Sequence, residues 1–192
     1  MSALSRFFPR GPIDLGERVR ALPDDGSVPG MPGWRWIHTP GHTPGHVSFF
    51  RDLDRTLIAG DAFVTTRQES AISAITQRPE LHGPPGYFTP DWPSARRSVE
   101  QLAALEPRRI VTGHGPPLEG TEMLNGLRQL ARNFDRIAVP PRGRYVQQAA
   151  VMDENGVVAL PPPVPDPLPR MVLGLGAGLL LAAALRRAVR AR

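Results

Sequence analysis

Thr39-Pro-Gly-His-Thr-Pro-Gly-His46 sets His42 and His46 four residues apart, with His38 four before them. On a helix that spacing would stack three imidazoles on one face. Pro40, Gly41, Pro44 and Gly45 interrupt it, so a helix is excluded and each histidine is judged separately on a turn-rich loop. The flanking sequence reads as strands. Trp34–His38 leads in, and the apolar runs Val47–Phe50 and Thr56–Ala59 are separated by the polar stretch Arg51–Arg55, a hairpin signature. The second run continues as Leu57-Ile-Ala-Gly-Asp-Ala62, and a later short strand, Arg109–Thr112, as Val111-Thr-Gly-His-Gly-Pro116. Each piece places a His or Asp just past an expected strand, beside a glycine that lets the backbone bend sharply. Ligand crevices form at such strand ends in open α/β sheets.

The residue types suit a metal. Asp61 is a hard anionic ligand able to bridge two cations, and His42 and His114 offer neutral imidazole nitrogens suited to Zn²⁺. The chain has no Cys, so disulfides and thiolate metal sites are excluded. His82, alone in its segment, is expected to be solvated.

In this order and spacing, the three pieces resemble the second half of the metallo-β-lactamase superfamily. The resemblance runs from about Trp34 to Pro117, more loosely to Ala138. It implies an α/β (in some schemes α+β) αββα sandwich. It also implies that His42 is the first-metal ligand, Asp61 the bridging carboxylate and catalytic centre, and His114 the second-metal ligand. His46 is then expected to support the loop and not to coordinate, and His38 to be structural. The implied cofactor is Zn²⁺, two ions per complete site. The implied activity is hydrolysis of a small-molecule ester, thioester, lactone or phosphodiester through a metal-bound hydroxide.

The family's first motif, His-x-His-x-Asp-His, is missing, and with it four of the seven usual ligands. Upstream of His42 stand only His38 and the acids Asp14, Glu17, Asp24 and Asp25. Catalytic zinc usually has three protein ligands and structural zinc four. The chain alone is thus expected to bind metal weakly or not at all, and to be inactive. It is expected to be the C-terminal half of the fold, its sheet exposing an apolar face meant for the other half. A truncated gene model, a true fragment and a chain that pairs with another copy or partner are the explanations, truncation being favoured. The alternative function is a non-catalytic half-fold module held at a membrane or by a partner chain.

The remaining elements follow from pattern. Glu17–Leu22 is a candidate strand. Residues 64–88, with Pro79, Pro84 and Pro85, read as irregular. A helix should start at an Asp91 N-cap, tolerate Pro93 in its first turn, and run along Ala95, Val99, Leu102 and Leu105 to Pro107. A second helix is expected from about Thr121 to Ala138, with Met123, Leu127, Leu130, Phe134 and Ile137 on one face. Tyr145–Met152 and Val157–Leu160 flank Asn155-Gly156, a two-residue hairpin turn. Tyr87, Phe88 and Trp92 are expected to anchor the loop-to-helix junction, with a role in a substrate pocket as the alternative.

With 192 residues and 41% apolar content, the chain can build a core. The divisions expected are a partial domain over 1–160, a proline-rich linker over 161–170 and an apolar, arginine-flanked tail helix over 171–192. The net charge of +5 comes from that tail: all 18 acidic residues precede position 167, as do all but five of the 23 arginines. A basic nucleic-acid groove in the body is therefore not expected. Met171–Leu185 has no polar side chain. A membrane-inserted or membrane-anchored helix within residues 168–192, spanning as a transmembrane helix or lying at the surface, is the favoured reading; a packed terminal helix and a disordered tail are the others. The expected location is the cytoplasm or, through the tail, the membrane.

Overall fold

A computed structural model describes residues 15–153 and 156–164. Three short apolar strands pair in sequence as an antiparallel meander: β1 (Trp34–His38), β2 (Val47–Arg51) and β3 (Thr56–Gly60). The chain then leaves the sheet and returns through a helix, so β4 (Arg109–Thr112) lies parallel to β3. A two-residue strand, β5 (Leu118–Glu119), closes the order β1-β2-β3-β4-β5. The parallel β3–β4 pair brings two strand C-termini side by side, the arrangement that lets adjacent loops present ligands to one point.

Among the described residues, four helices accompany the sheet: α1 (Ala71–Thr76), α2 (Trp92–Ala104), α3 (Gly120–Arg132) and α4 (Phe134–Ile137). Asp91 starts α2: its carboxylate accepts from the Ser94 N–H (3.0 Å) and the Ser94 hydroxyl (2.6 Å). Such caps satisfy donors that the first turn leaves free. One face of the sheet, with Phe50, Leu57, Ala59 and Ile110, shares a core with Val99 and Leu102 of α2 and Leu127 and Leu130 of α3. The other face carries a row in direct register across four strands, Trp36–Phe49–Ile58–Val111, each residue only half-buried.

Several expectations need correction. Glu17–Leu22 is not a strand; Gly16–Arg18 forms a single 3₁₀ turn. Residues 64–88 contain the short helix α1, capped by Ser70 accepting from the Ser73 N–H. The expected second helix breaks at Asn133, whose backbone (φ −121°, ψ 28°) is not helical and whose side-chain amide donates to the Gln129 carbonyl. This is the local competition with backbone bonding that disfavours Asn within helices. Beyond the break, Phe134 is buried against Trp92, ring centroids 6.3 Å apart. The C-terminal hairpin is shorter than expected, β6 (Val151–Asp153) with β7 (Gly156–Ala159), and residues 145–150 are not strand. Asn155 and the tail from residue 165 lie outside the described residues. Among the described residues, no helix is long and apolar enough to cross a membrane.

Candidate metal centre

The His42 loop is fixed from behind by α2. Ser98 Oγ donates to the Pro40 carbonyl (2.7 Å) and the Asp91 N–H to the Gly41 carbonyl (3.3 Å). Gly41 lies so close that a Cβ there would sit 2.3 Å from the Ala95 nitrogen. Asp61 follows Gly60 at the end of β3, and the Gly113 N–H donates to the Gly60 carbonyl (2.9 Å), joining the two strand-end loops. His114 is held through its backbone: its carbonyl accepts from the Thr65 N–H (3.0 Å) and the Thr112 hydroxyl (2.8 Å).

These three loops bring His42, Asp61 and His114 together. His42 Nε2 is 3.5 Å from Asp61 Oδ2, and His114 Nε2 is 3.7 Å from Asp61 Oδ1. Both separations exceed a normal hydrogen bond. They resemble the spacing of two ligands on one ion: bonds of roughly 2.1 Å at a tetrahedral angle place donors about 3.4 Å apart. Each imidazole faces its own carboxylate oxygen. Asp61 Oδ1 and His42 Nδ1 are buried with no hydrogen-bond partner among the described residues. Buried orphan atoms of this kind call for a ligand or partner. Burial is the main cause that pushes the His42 imidazole below its ordinary pKa, against the attraction of Asp61. It is thus held neutral, the form that coordinates a metal. The donor set fits a cation on each side of Asp61, but with two protein donors per side. Among the described residues, no group of three or more His, Asp or Glu is arranged to hold one metal ion.

His46 sits behind the centre. Its Nε2 accepts from the Asp61 N–H (3.0 Å), so the proton is on Nδ1, which faces the Thr39 hydroxyl (2.8 Å) and carbonyl (3.1 Å). The relay continues from the Thr39 hydroxyl to Ser48 Oγ (2.9 Å) and from Ser48 to the Ala59 carbonyl (3.1 Å). With both nitrogens used, His46 orients the Asp61 backbone. His38 bonds the Pro44 carbonyl across the loop (2.7 Å).

His82 differs from expectation: it is 7% exposed, and its backbone pairs with Val64 as an isolated bridge. Trp92 is buried at the start of α2, while Tyr87 and Phe88 are exposed and stacked edge-on. Nothing in the sequence marks Thr39 or Thr65, whose roles depend on contacts between loops. Glycine beside each of His42, Asp61 and His114 is the local signal these loops share.

Burial is also the main cause lowering the His46 pKa, with His42 next. A histidine kept neutral by folding binds its proton first in the unfolded chain. Stability of the metal-free chain should therefore be fully present above about pH 6.5, the ordinary value, and fall as pH drops below it. Urea midpoints in chelator should be lower at pH 5.5 than at pH 7.5; the reverse order would refute the assignment.

The match to a family model described as the metallo-beta-lactamase superfamily covers residues 2–114. The chain is 50% identical over 137 residues to the probable metallo-hydrolase YflN of Bacillus subtilis (strain 168), covering 71% of this chain and 52% of that protein. It is 33% identical over 90 residues to the probable metallo-hydrolase YybB of the same organism, covering 47% of this chain and 36% of that protein. Of solved structures, TTHA1623 in a di-iron-bound form is 27% identical, with a TM-score of 0.40, over 65% of this chain and 49% of that one. The chain spans about half or less of the length of these relatives. Because the family match takes in β1 to β4 and ends on His114, and so contains each of the three loops that meet at Asp61, the chain belongs to the metallo-beta-lactamase superfamily.

Proposed function

We propose that the chain carries half of a metal-dependent hydrolase centre, with His42 and Asp61 as donors to one ion and Asp61 and His114 to the other, zinc being the metal. The observation that carries this reading is Asp61 held between two imidazoles, one oxygen toward each. When bound, such ions polarise a carbonyl or phosphoryl oxygen and acidify water. The chain's own contribution is positional. His46 fixes the Asp61 backbone, α2 pins the loop that carries His42, and Gly113 leaves room for the carboxylate. The substrate class is an ester, thioester, lactone or phosphodiester.

Metal analysis of the purified chain tests this. Well below two equivalents of zinc should be retained, and Asp61→Asn should remove what remains. Two tightly held ions would overturn the half-site reading; zinc retention untouched by Asp61→Asn would overturn the ligand assignment.

A second reading is favoured by the half-buried row Trp36–Phe49–Ile58–Val111. This face fits a complementary sheet from another part of the fold or a partner chain, which would also bring the missing ligands. Without them, the module would be non-catalytic.

A further inference from the structure

We infer that the cavity between the loop at Tyr87 and the segment at Tyr145 is a subsite for an organic anion, an apolar ring or short chain bearing a carboxylate or phosphate. The cavity has a volume of about 310 Å³, the lower end of the range for small-molecule sites. Tyr87 and Trp92 line one side, Tyr145 another, and Arg142 and Arg144 stand with Glu69 among the lining residues. Aromatic walls with a few charged groups are the usual make-up of a site that orients an apolar ligand by its polar end.

The charges point to an anion. Glu69 is committed to the fold, its Oε1 accepting from the Gly86 N–H (2.8 Å). Arg144 uses Nε on the Pro161 carbonyl (2.6 Å), and its guanidinium lies over the Tyr145 ring, 5.8 Å from the centroid. Arg142 is exposed and takes part in no hydrogen bond or ion pair among the described residues. Its planar fork is free to hold a carboxylate or phosphate through two hydrogen bonds.

The cavity is linked to the His42 loop through the start of α2. Trp92 opens α2, and its neighbour Asp91 donates its N–H to the Gly41 carbonyl, one residue from His42. Burial first, and then the charges of Glu69 and Asp61, raise the Tyr87 phenol pKa. Use of this cavity for the part of the substrate that does not react rests on the hydrolase reading above; binding of an anion there does not.

The test uses the full chain in EDTA, which separates it from any failure of the metal reading. Amide and indole NMR shifts are followed with benzoate, phenyl phosphate and neutral benzyl alcohol. Saturable shifts are expected at Gly86, Gly143 and the Trp92 indole, with at least one anion binding tenfold or more tightly than the alcohol. Arg142→Gln should weaken that anion about tenfold and leave the alcohol unchanged. Whichever anion binds more tightly identifies the preferred group. Equal binding of all three probes, shifts confined to other surfaces, or an Arg142→Gln variant that binds as wild type would each overturn the proposal. Arg142 is exposed, so the variant should keep its fold, checked by unchanged shifts in the core.

Discussion

In a Gly113→Ala variant, zinc affinity should fall ten- to a hundred-fold while the melting temperature stays within a few degrees of wild type. A Cβ at Gly113 would sit 2.3 Å from Asp61 Oδ1 and 3.1 Å from its Cγ. Real contacts do not reach that distance, so one partner must move. The partner here is the far end of a side chain that is partly open to solvent, and Asp61 can rotate away at small cost. The Gly113 N–H can still reach the Gly60 carbonyl, and the core below is untouched. The carboxylate's position between His42 and His114 is what cannot survive. Displacing the groups that orient a ligand usually costs ten- to a hundred-fold in affinity. Calorimetric zinc titration, with thermal unfolding in EDTA, separates the two effects. Wild-type affinity in Gly113→Ala would show that Asp61 is not the shared donor. A large loss of stability would show that Gly113 serves the fold and not the site.

The half-site proposed at Asp61 and the half-buried face of the sheet bear on the same question. β1 to β4 supply a complete helix-facing core, with Phe50, Leu57 and Ile110 each 1% exposed or less. The opposite face keeps Trp36, Phe49, Ile58 and Val111 half-buried, and the indole N–H of Trp36 reaches the Pro23 carbonyl (2.9 Å). His42 Nδ1 is buried without a partner among the described residues, whereas an imidazole that ligates a metal usually donates its other nitrogen to an acceptor. The relatives matched over about half or less of their length extend beyond the region shared with this chain.

Sequence is a sufficient guide where local chemistry is decisive. β1 to β4 follow from apolar runs, and α2 from Asp91, Pro93 and the stripe Ala95–Val99–Leu102. The three loops are legible because glycine, joined by proline in two of them, interrupts regular structure beside His42, Asp61 and His114. Features decided by distant contacts are not. His82 looks like a loop residue in sequence, yet its backbone pairs with Val64, eighteen positions earlier. The break at Asn133 is local, set by its side chain on the Gln129 carbonyl, but the apolar stripe runs on through Phe134 and Ile137 and hides it. Thr65 has no motif around it, but its hydroxyl donates toward the Pro116 (2.7 Å) and His114 (3.2 Å) carbonyls, lies 2.9 Å from the Thr112 hydroxyl, and ties the His114 loop to the chain beyond Asp61.

Gly41→Ala should behave in the opposite way to Gly113→Ala, although the added Cβ makes the same 2.3 Å approach. At Gly41 it meets the Ala95 nitrogen, with the Ala95 Cα at 2.4 Å, and both atoms belong to the backbone of α2. A helix cannot rotate one residue aside as Asp61 can. Relief requires the loop and helix to separate, which loses the Ser98–Pro40 and Asp91–Gly41 hydrogen bonds together. The backbone adds to the cost, since Gly41 has φ +135°, a conformation that residues with a side chain rarely adopt. Overpacking of a rigid contact costs about 1–3 kcal/mol, and the two lost bonds take the sum to about 3 kcal/mol or more. In a domain of this size that lowers the melting temperature by roughly 10 °C. Zinc binding should fail as well, because His42 follows Gly41 directly. Thermal unfolding in EDTA decides the matter: a melting temperature within about 2 °C of wild type would mean that the loop is not braced by α2, and that His42 owes its position to something else.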